Sequence, residues 1–375
     1  MHRLKIISRF VVFALSVSLA LSCSDPRLIE QALPTSHKDA NSGVARVEIP
    51  AVYELAQIVY ALGEAKHDSQ SRTWVKGEYY QRAMEFFEPY KDHPAVDAVF
   101  FEKWPDYWSY RQNSLAYQFE GEDIISGNVY DRLWSAGANK FEKAIPLLED
   151  FAHESQFQTF FEENGDYYGA LISEFSDIAE PDAMKAWLEE NFSAQYDSYF
   201  IVISPLVGGA HNFAIVSDGE YAEALITISA PNIMDEYRDQ SGEIADDRAL
   251  RFVRTIFTEL DHNYVNPVSE RYKREISAAV GDVNQLNTSD DYRSPLATFN
   301  EYVTWALFPL FVAEIYGDEY VALSVDDTNS VMTRRGFVKF PEFNAWVREQ
   351  FSGELSSNRF EDRYDELFEW FRENS

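Results

Sequence analysis

The chain has 375 residues, of which 46% are hydrophobic and 15% aromatic, and its formal net charge is −31. This apolar content is enough for a large hydrophobic core, which argues against an intrinsically disordered protein. The negative charge repels phosphate backbones, so we expect no nucleic-acid partner and no adhesion of a protein face to anionic lipid.

The first 22 residues are typical of a bacterial signal peptide, because a basic start precedes an apolar run, 10–21, that is too short to span a membrane. Cys23, the only cysteine in the chain, follows directly. We predict an outer-membrane lipoprotein of the cell envelope, whose lipidated Cys23 is its only contact with the membrane. Cleavage by ordinary signal peptidase is the alternative, since small residues precede the cysteine.

Residues 23–45 are polar, turn-rich and without a sustained period, so we predict that they comprise the lipidated cysteine and a tether. One domain, 46–375, follows. Its first part, 46–195, has the apolar spacing of helices, as in YELAQIVYAL. Aromatic clusters such as WPDYWSY are more often core than a glycan-stacking surface, so glycan binding is the weaker interpretation of this part.

The pattern changes at Tyr199, where YFIVISPLV has the β-branched, apolar character of a strand. HNFAIVSDGEYAEALITISAP predicts a hairpin with its turn at Asp218 and Gly219. Helical spacing returns with DDRALRFVRTIFTELDHNYV. This order predicts a mostly helical α+β fold, in which part 196–375 contains a small antiparallel sheet followed by the site-bearing helices.

The run TELDH contains Glu259 and His262, which share one face of a helix because they are three residues apart. In the zinc-hydrolase motif H-E-x-x-H the two histidines bind zinc and the glutamate is the general base. Thr258 stands at the first histidine position, so the motif is degenerate. Glu301, in the apolar helix NEYVTWAL, needs a partner for its carboxylate and suits a third ligand.

No cysteine follows residue 23, so a zinc site has to use His, Asp and Glu. His211 is the candidate replacement for the missing ligand, because it lies beside the predicted hairpin that precedes the helix. A hydrogen-bonding role near a substrate strand is the alternative. Gly208 and Gly209, which permit close backbone approach, and Asn212 are predicted to line the substrate groove.

Four segments, YELAQIVYAL, PLVGGAHNFA, TELDHNYVNP and NEYVTWAL, resemble a family of exported bacterial proteins, domain of unknown function 4932, over residues 48–350. The resemblance implies a zincin-like fold with a glutamate as third ligand, and a zinc-dependent peptidase. It implies that Glu259 is the catalytic base, that His262 and Glu301 are zinc ligands, and that Thr258 replaces the first histidine.

Two functions follow from these residues. The first is a zinc-dependent, peptidase-like envelope lipoprotein that acts on a peptide or protein, favoured by the joint presence of Glu259, His262 and Glu301. The alternative is a catalytically inactive pseudo-peptidase that binds a peptide or an envelope partner in the same cleft. Thr258 favours this alternative, because a neutral hydroxyl is a poor zinc ligand.

Overall fold

The computed structural model describes residues 27–69, 72–238, 240, 242, 244–351 and 359–375. Within these residues the chain is mostly helical with two small sheets, which confirms the α+β fold class. The predicted signal peptide and Cys23 lie outside the described residues, so lipidation stays a prediction. No helix in the described part of the chain has both the length and the apolarity that crossing a bilayer requires.

The described residues form seven strands: β1 (Leu28–Glu30), β2 (Ala45–Glu48), β3 (Tyr117–Glu120), β4 (Asp123–Ser126), β5 (Ser198–Ser204), β6 (Asn212–Ser217) and β7 (Ala222–Ser229). Five of them form one sheet in the order β1-β6-β7-β5-β2, and β3 and β4 form a separate antiparallel pair. β6 and β7 are the predicted antiparallel hairpin. In its turn, Asp218 Oδ1 accepts a hydrogen bond from the backbone N–H of Tyr221 at 2.8 Å.

The remaining pairs of the large sheet, β1 with β6, β5 with β7 and β2 with β5, are parallel. The sequence analysis did not anticipate them, because parallel strands are joined by long crossovers and leave no turn signal between the partners. The sheet is therefore mixed, and its hairpin is the antiparallel part that precedes the site-bearing helix.

Fifteen α-helices surround the sheets within the described residues: α1 (Thr35–Asn41), α2 (Ala51–Lys66), α3 (Glu78–Phe87), α4 (Pro94–Ala98), α5 (Trp104–Asn113), α6 (Lys140–Glu154), α7 (Phe157–Glu163), α8 (Gly165–Ala179), α9 (Pro181–Asn191), α10 (Asp246–Arg271), α11 (Lys273–Val280), α12 (Pro295–Ile315), α13 (Asp318–Arg334), α14 (Phe340–Phe351) and α15 (Tyr364–Asn374). Helix α10 contains the TELDH run and packs against β6, β7 and α12.

Helix α12 carries Glu301 and begins with a regular cap. Ser294 Oγ accepts a hydrogen bond from the N–H of Ala297 at 3.1 Å, and Pro295 fills the first helical position, where a missing N–H costs nothing. Almost all of this helix is buried from Thr298 onwards. A carboxylate at position 301 is therefore held inside the protein and requires a partner.

The sheet separates two apolar clusters, as the alternation of side chains along a strand dictates. In β5, Tyr199, Ile201 and Ile203 belong to the larger cluster, whereas Phe200 and Val202 belong to the smaller one on the other face. The larger cluster contains residues from both 46–195 and 196–375, so these two parts of the chain share one core.

The predicted tether is wrong for residues 28–45, which fold as part of the domain. β1 pairs with β6 at one edge of the sheet, and β2 at the other edge begins at Ala45. The side chains of Ile29 and Leu33 are buried in the smaller cluster. A three-residue strand has no period to recognise, and its partner lies far along the chain, so local pattern could not reveal it.

Replacement of Ile29 with alanine is expected to lower the free energy of unfolding by about 2–4 kcal/mol, because it leaves a cavity beneath β1. Val44, which is exposed within the same segment, is the matched control, and its alanine variant is expected to change stability by less than about 0.5 kcal/mol. Urea denaturation of the two variants measures the difference. Equal, negligible effects would mean that this segment behaves as a tether after all.

Candidate functional site

A cleft of ≈ 570 Å³ lies between β6, α10 and α12. Its lining includes five of the residues predicted from the sequence: His211, Asn212, Glu259, His262 and Glu301. These side chains come from three segments that are far apart in the chain. The fold therefore gathers most of the predicted site in one hollow, whereas the roles assigned to these residues stay predictions.

His262 and Glu301 lie next to each other across the α10–α12 contact. His262 Nε2 is 3.7 Å from Glu301 Oε1, and the two side chains are 14% and 5% exposed. The other carboxylate oxygen, Oε2, accepts a hydrogen bond from Arg335 Nη2 at 2.8 Å. Glu301 thus has a resident cationic partner, which satisfies the requirement of a buried carboxylate for an opposite charge.

The second ring nitrogen of His262, Nδ1, lies close to two polar side chains. Nδ1 lies 3.3 Å from Asn266 Oδ1 and 3.5 Å from Thr304 Oγ1, and the ring stacks on Phe213 with centroids 5.2 Å apart. Burial lowers the pKa of His262, with the Glu301 carboxylate opposing this shift, so the ring is neutral at pH 7. In the tautomer that donates Nδ1–H to Asn266, the lone pair of the neutral ring is on Nε2.

Glu259 is half-buried in the same cleft, one helical turn before His262. Burial raises its pKa to about 7, the charge of Glu301 adds to the rise, and the guanidinium groups of Arg27 and Arg335 oppose it. A carboxyl group with this pKa can accept or release a proton near neutral pH, which is the property of a general base or acid.

Thr258 does not line the cleft. Its side chain is 4% exposed, and its hydroxyl donates to the carbonyl of Thr255 within the same helix at 3.3 Å. This is the usual behaviour of a threonine inside a helix, and it directs the hydroxyl to the backbone instead of to a shared ligand.

The donor set does not fit a catalytic zinc ion. Such a site needs three protein ligands and an open position, and no group of three or more His, Cys, Asp or Glu side chains in the described part of the chain is arranged to hold a metal. His262 and Glu301 supply two donors. The third position is Thr258, and Arg335 already binds one oxygen of Glu301.

His211 lines the cleft, but its side chain is hydrogen-bonded to Ser229. Its Nε2 lies 2.8 Å from Ser229 Oγ, and the Ser229 hydroxyl donates to the carbonyl of Gly208 at 3.0 Å. Because the single hydroxyl proton is used, His211 must donate its Nε2–H to Ser229. Burial lowers the pKa of His211 to about 3, with Arg111 contributing, so the ring is neutral and its lone pair is on Nδ1. The alternative hydrogen-bonding role fits this geometry better than the ligand role.

The two glycines predicted for the groove are not part of the cleft lining. A Cβ on Gly208 would come within 3.0 Å of the carbonyl oxygen of Arg72, so Gly208 is needed for close packing against the segment 72–74. A Cβ on Gly209 would meet open space. Asn212, by contrast, is in the lining, and its role in substrate binding stays a prediction.

Sequence reasoning missed several residues at this site, and four of them have a clear structural role. Trp134 and Asn300 line the cleft, Arg27 lies over the ring of Phe213 with Cζ 4.1 Å from its centroid, and Arg335 binds Glu301. None of them belongs to a recognisable motif. The one available signal was the need of Glu301 for a cation, which predicted a partner without identifying it.

A family model described as "Domain of unknown function (DUF4932)" matches residues 107–322, which is more than half of the chain. The match contains the cleft residues of β6, α10 and α12, and it ends before Arg335. It confirms the family that the four segments resembled, and its description assigns no activity. No curated protein and no solved structure matches the chain.

Proposed function

The chain belongs to the DUF4932 family, and we propose that it is an exported, peptidase-like protein that binds a peptide in its cleft without a catalytic zinc ion. The observation that carries this proposal is the 2.8 Å hydrogen bond from Arg335 to Glu301, beside a helix in which Thr258 stands at the position of the first histidine. The fold, in this view, is zincin-like and the site has lost its metal.

The electrostatics of Glu301 support a metal-free site. A buried carboxylate is costly without an opposite charge, and in an active zinc site the ion would supply that charge. Here the guanidinium of Arg335 supplies it, and the cation also lies 5.1 Å from the ring centroid of Trp305 and 5.0 Å from that of Tyr292. A zinc ion would have to displace this fixed cation while gaining only one other good donor, His262.

The edge of β6 supports a peptide as the ligand. The N–H of Ile215 donates to the carbonyl of Arg27 at 2.9 Å on the side of β6 that faces β1. Backbone groups two residues apart on a strand point the same way, so those of Phe213 face this side too. β1 begins opposite Ile215, so no described strand pairs with Phe213 there. An extended peptide can add to such an edge, beside the cleft.

The proposed location is the outer membrane of the cell envelope. The signal-like start and Cys23 support a lipid anchor as the only membrane contact, and the net charge of −31 argues against a nucleic-acid partner. A peptide or an envelope protein segment is therefore the proposed partner.

A zinc-dependent peptidase is the second candidate function. It is favoured by the 3.7 Å separation of His262 Nε2 and Glu301 Oε1, which two ligands of one ion can have, and by the pKa of Glu259, about 7. It would require a third protein ligand, which the described residues do not supply at this position.

Metal analysis of the mature protein separates the two candidates. We expect protein purified with zinc supplementation to contain far less than one zinc per chain and to cleave no peptide. His262→Ala and Glu301→Ala are then expected to change nothing in zinc content. His153→Ala is the matched control, since this histidine is exposed on α6. Stoichiometric zinc that is lost in the first two variants and retained in the control would overturn the metal-free proposal.

A further inference from the structure

Two hydrogen-bond donors at the cleft have no partner within the described residues. They are Trp134 Nε1–H and the side-chain amide of Asn212, and both residues line the cleft. Trp134 is 8% exposed and Asn212 is 6% exposed, so neither is hydrated as a surface residue would be. Buried donors are normally satisfied, and two unsatisfied ones in a single cleft indicate a missing acceptor.

A positive charge is buried behind these donors. The Arg111 guanidinium is completely buried, and it donates to the hydroxyl groups of Tyr53, at 2.7 Å, and Tyr107, at 3.3 Å, and to the carbonyl of Ala210. Its Nη2 has no hydrogen-bond partner among the described residues, and no carboxylate there lies within ion-pair distance of it. A buried cation that is not neutralised makes the adjacent cleft attractive to an anion.

Contacts connect the donors and the cation to one end of the cleft. The rings of Trp134 and Trp108 stack with centroids 6.4 Å apart, and Arg111 Cζ is 5.3 Å from the ring centroid of Trp108. Arg111 also holds the carbonyl of Ala210, two residues before Asn212. The anion-attracting end is thus formed by α5, the Trp134 segment and the start of β6.

Two other cations at the cleft are already paired. Lys273 lies 2.8 Å from Glu270, and Arg335 lies 2.8 Å from Glu301. Arg111, by contrast, has no acidic partner within ion-pair distance in the part of the chain that the structure describes, and it lies inside a chain whose net charge is −31. A localised positive region in an acidic protein selects for a small anionic group, since large anions are repelled by the surrounding surface.

We propose that the end of the cleft at Trp134 and Asn212 binds the free α-carboxylate of a peptide, so that the ligand is a peptide C-terminus. The inference rests on the proposed peptide-binding function and names its ligand class. A carboxylate supplies the acceptors that Trp134 Nε1–H and the Asn212 amide lack, and its charge lies in the field of Arg111. The α-carboxylate ends the chain, so the peptide enters with its last residue.

Another residue of the cleft lining has the complementary polarity. Asn300 Oδ1 is buried without a partner within the described residues, and Asn300 lies next to Glu301 on α12. An acceptor here suits an N–H group of a preceding peptide residue, whereas the donors at Trp134 and Asn212 suit the terminal carboxylate.

The test uses two pools of N-acetylated random tetrapeptides, one with free C-terminal acids and one with C-terminal carboxamides. The mature full-length protein is incubated with each pool, retained peptides are identified by mass spectrometry, and calorimetry compares matched acid and amide pairs. We expect the acids to bind about tenfold to a hundredfold more tightly, because charge-assisted hydrogen bonds are lost in the amide. Hexanoate is the probe for a carboxylate without a peptide, and we expect it to bind far more weakly.

Two variants assign the effect to the proposed donors. Trp134→Phe removes the N–H and keeps an aromatic ring, and Asn212→Ser replaces the amide with a hydroxyl on a shorter side chain; both are expected to abolish the preference for the acid. Trp346→Phe, on α14, is the matched control and is expected to retain it. Neither variant removes Arg111, so the buried network that supports folding is intact.

The outcomes separate this inference from the function on which it rests. Equal binding of acids and carboxamides, or a preference that survives in Trp134→Phe and Asn212→Ser, overturns the carboxylate site and leaves peptide binding in place. Hexanoate binding as tight as that of the acids overturns the peptide part of the inference. If neither pool binds, the proposed peptide-binding function itself fails.

Discussion

Replacement of Thr258 with histidine is expected to raise the affinity for zinc on the order of 100-fold, since a four-ligand site binds zinc with about 10–16 kcal/mol and each ligand contributes a share. The new imidazole would lie one turn before His262 on the same face of α10. His262 Nε2 and Glu301 Oε1 are already 3.7 Å apart, so the third donor completes a set that is otherwise in place. Titration with zinc in competition with a chelating dye measures the gain.

Arg335 determines how large that gain is. In the double variant Thr258→His, Arg335→Gln the carboxylate of Glu301 is released from the guanidinium, and we expect a further increase in zinc affinity over Thr258→His alone. Arg335→Gln by itself leaves only two donors and is expected to bind no stoichiometric zinc. An affinity that is equal in the single and double variants would show that Arg335 does not compete with the metal.

Ser277→His is the matched control for the engineered ligand. Ser277 is exposed on α11, away from the cleft, so a histidine there adds a donor without completing the set. Thermal unfolding followed by circular dichroism verifies that each variant is folded. A folded Thr258→His protein without any gain over this control would mean that α10 does not hold position 258 as a zincin helix holds its first ligand.

The elements that the sequence predicted well are those with a strong local signal. The hairpin of β6 and β7 has β-branched strands and an Asp-Gly turn, and both were recognisable without knowledge of the fold. The strands β1 and β2 were missed, because three or four residues of mixed polarity have no period. Their stability comes from pairing with β6 and β5, which is a long-range effect.

At the candidate site, too, the residues with a strong local signal were predicted and the others were not. A buried helix with one carboxylate, and a helix with E-x-x-H, were sufficient to predict that Glu301 and His262 come together, although neither role has been tested. Arg335 could not be predicted, because any of several cations could have paired with Glu301. Gly208 was predicted to line the substrate groove, but the backbone of residues 72–74 packs against it instead. A glycine allows close approach of either a substrate or another segment of the chain, and the sequence does not show which of the two is present.

Asp261 is a third acidic residue close to Glu259 and Glu301. Asp261 is completely buried. It lies on α10, directly before His262 in the sequence. Burial raises its pKa well above the usual value, and the charges of Glu259 and Glu301 raise it further. The basic residues Arg254 and Lys273 bind Asp327 and Glu270 and do not pair with Asp261. The folded protein therefore holds the proton of Asp261 to a higher pH than the unfolded chain does.

The raised pKa of Asp261 makes the free energy of unfolding depend on pH. The unfolded chain ionises Asp261 near its ordinary pKa of 3.8, whereas the folded protein keeps the proton to a much higher pH. Above pH 3.8 the folded state binds more protons than the unfolded state, so this group lowers the free energy of unfolding as the pH rises. Glu259, with a pKa of about 7, acts in the same direction between pH 4.5 and 7.

Replacement of Asp261 with asparagine is expected to leave stability at pH 4 nearly unchanged and to raise it at pH 8. An amide has the shape of the protonated acid and cannot ionise in the unfolded chain, so the pH-dependent loss disappears. We expect a gain of at least about 1–3 kcal/mol at pH 8, the usual cost of a buried, poorly compensated polar group. Urea denaturation at a series of pH values measures it.

Asp177, exposed on α8, is the control for this substitution, and Asp177→Asn is expected to follow the wild-type pH dependence throughout. Part of the decline with pH is expected to persist in Asp261→Asn, because Glu259 still titrates near pH 7. Parallel curves for Asp261→Asn and wild type would mean that Asp261 is ionised in the folded protein.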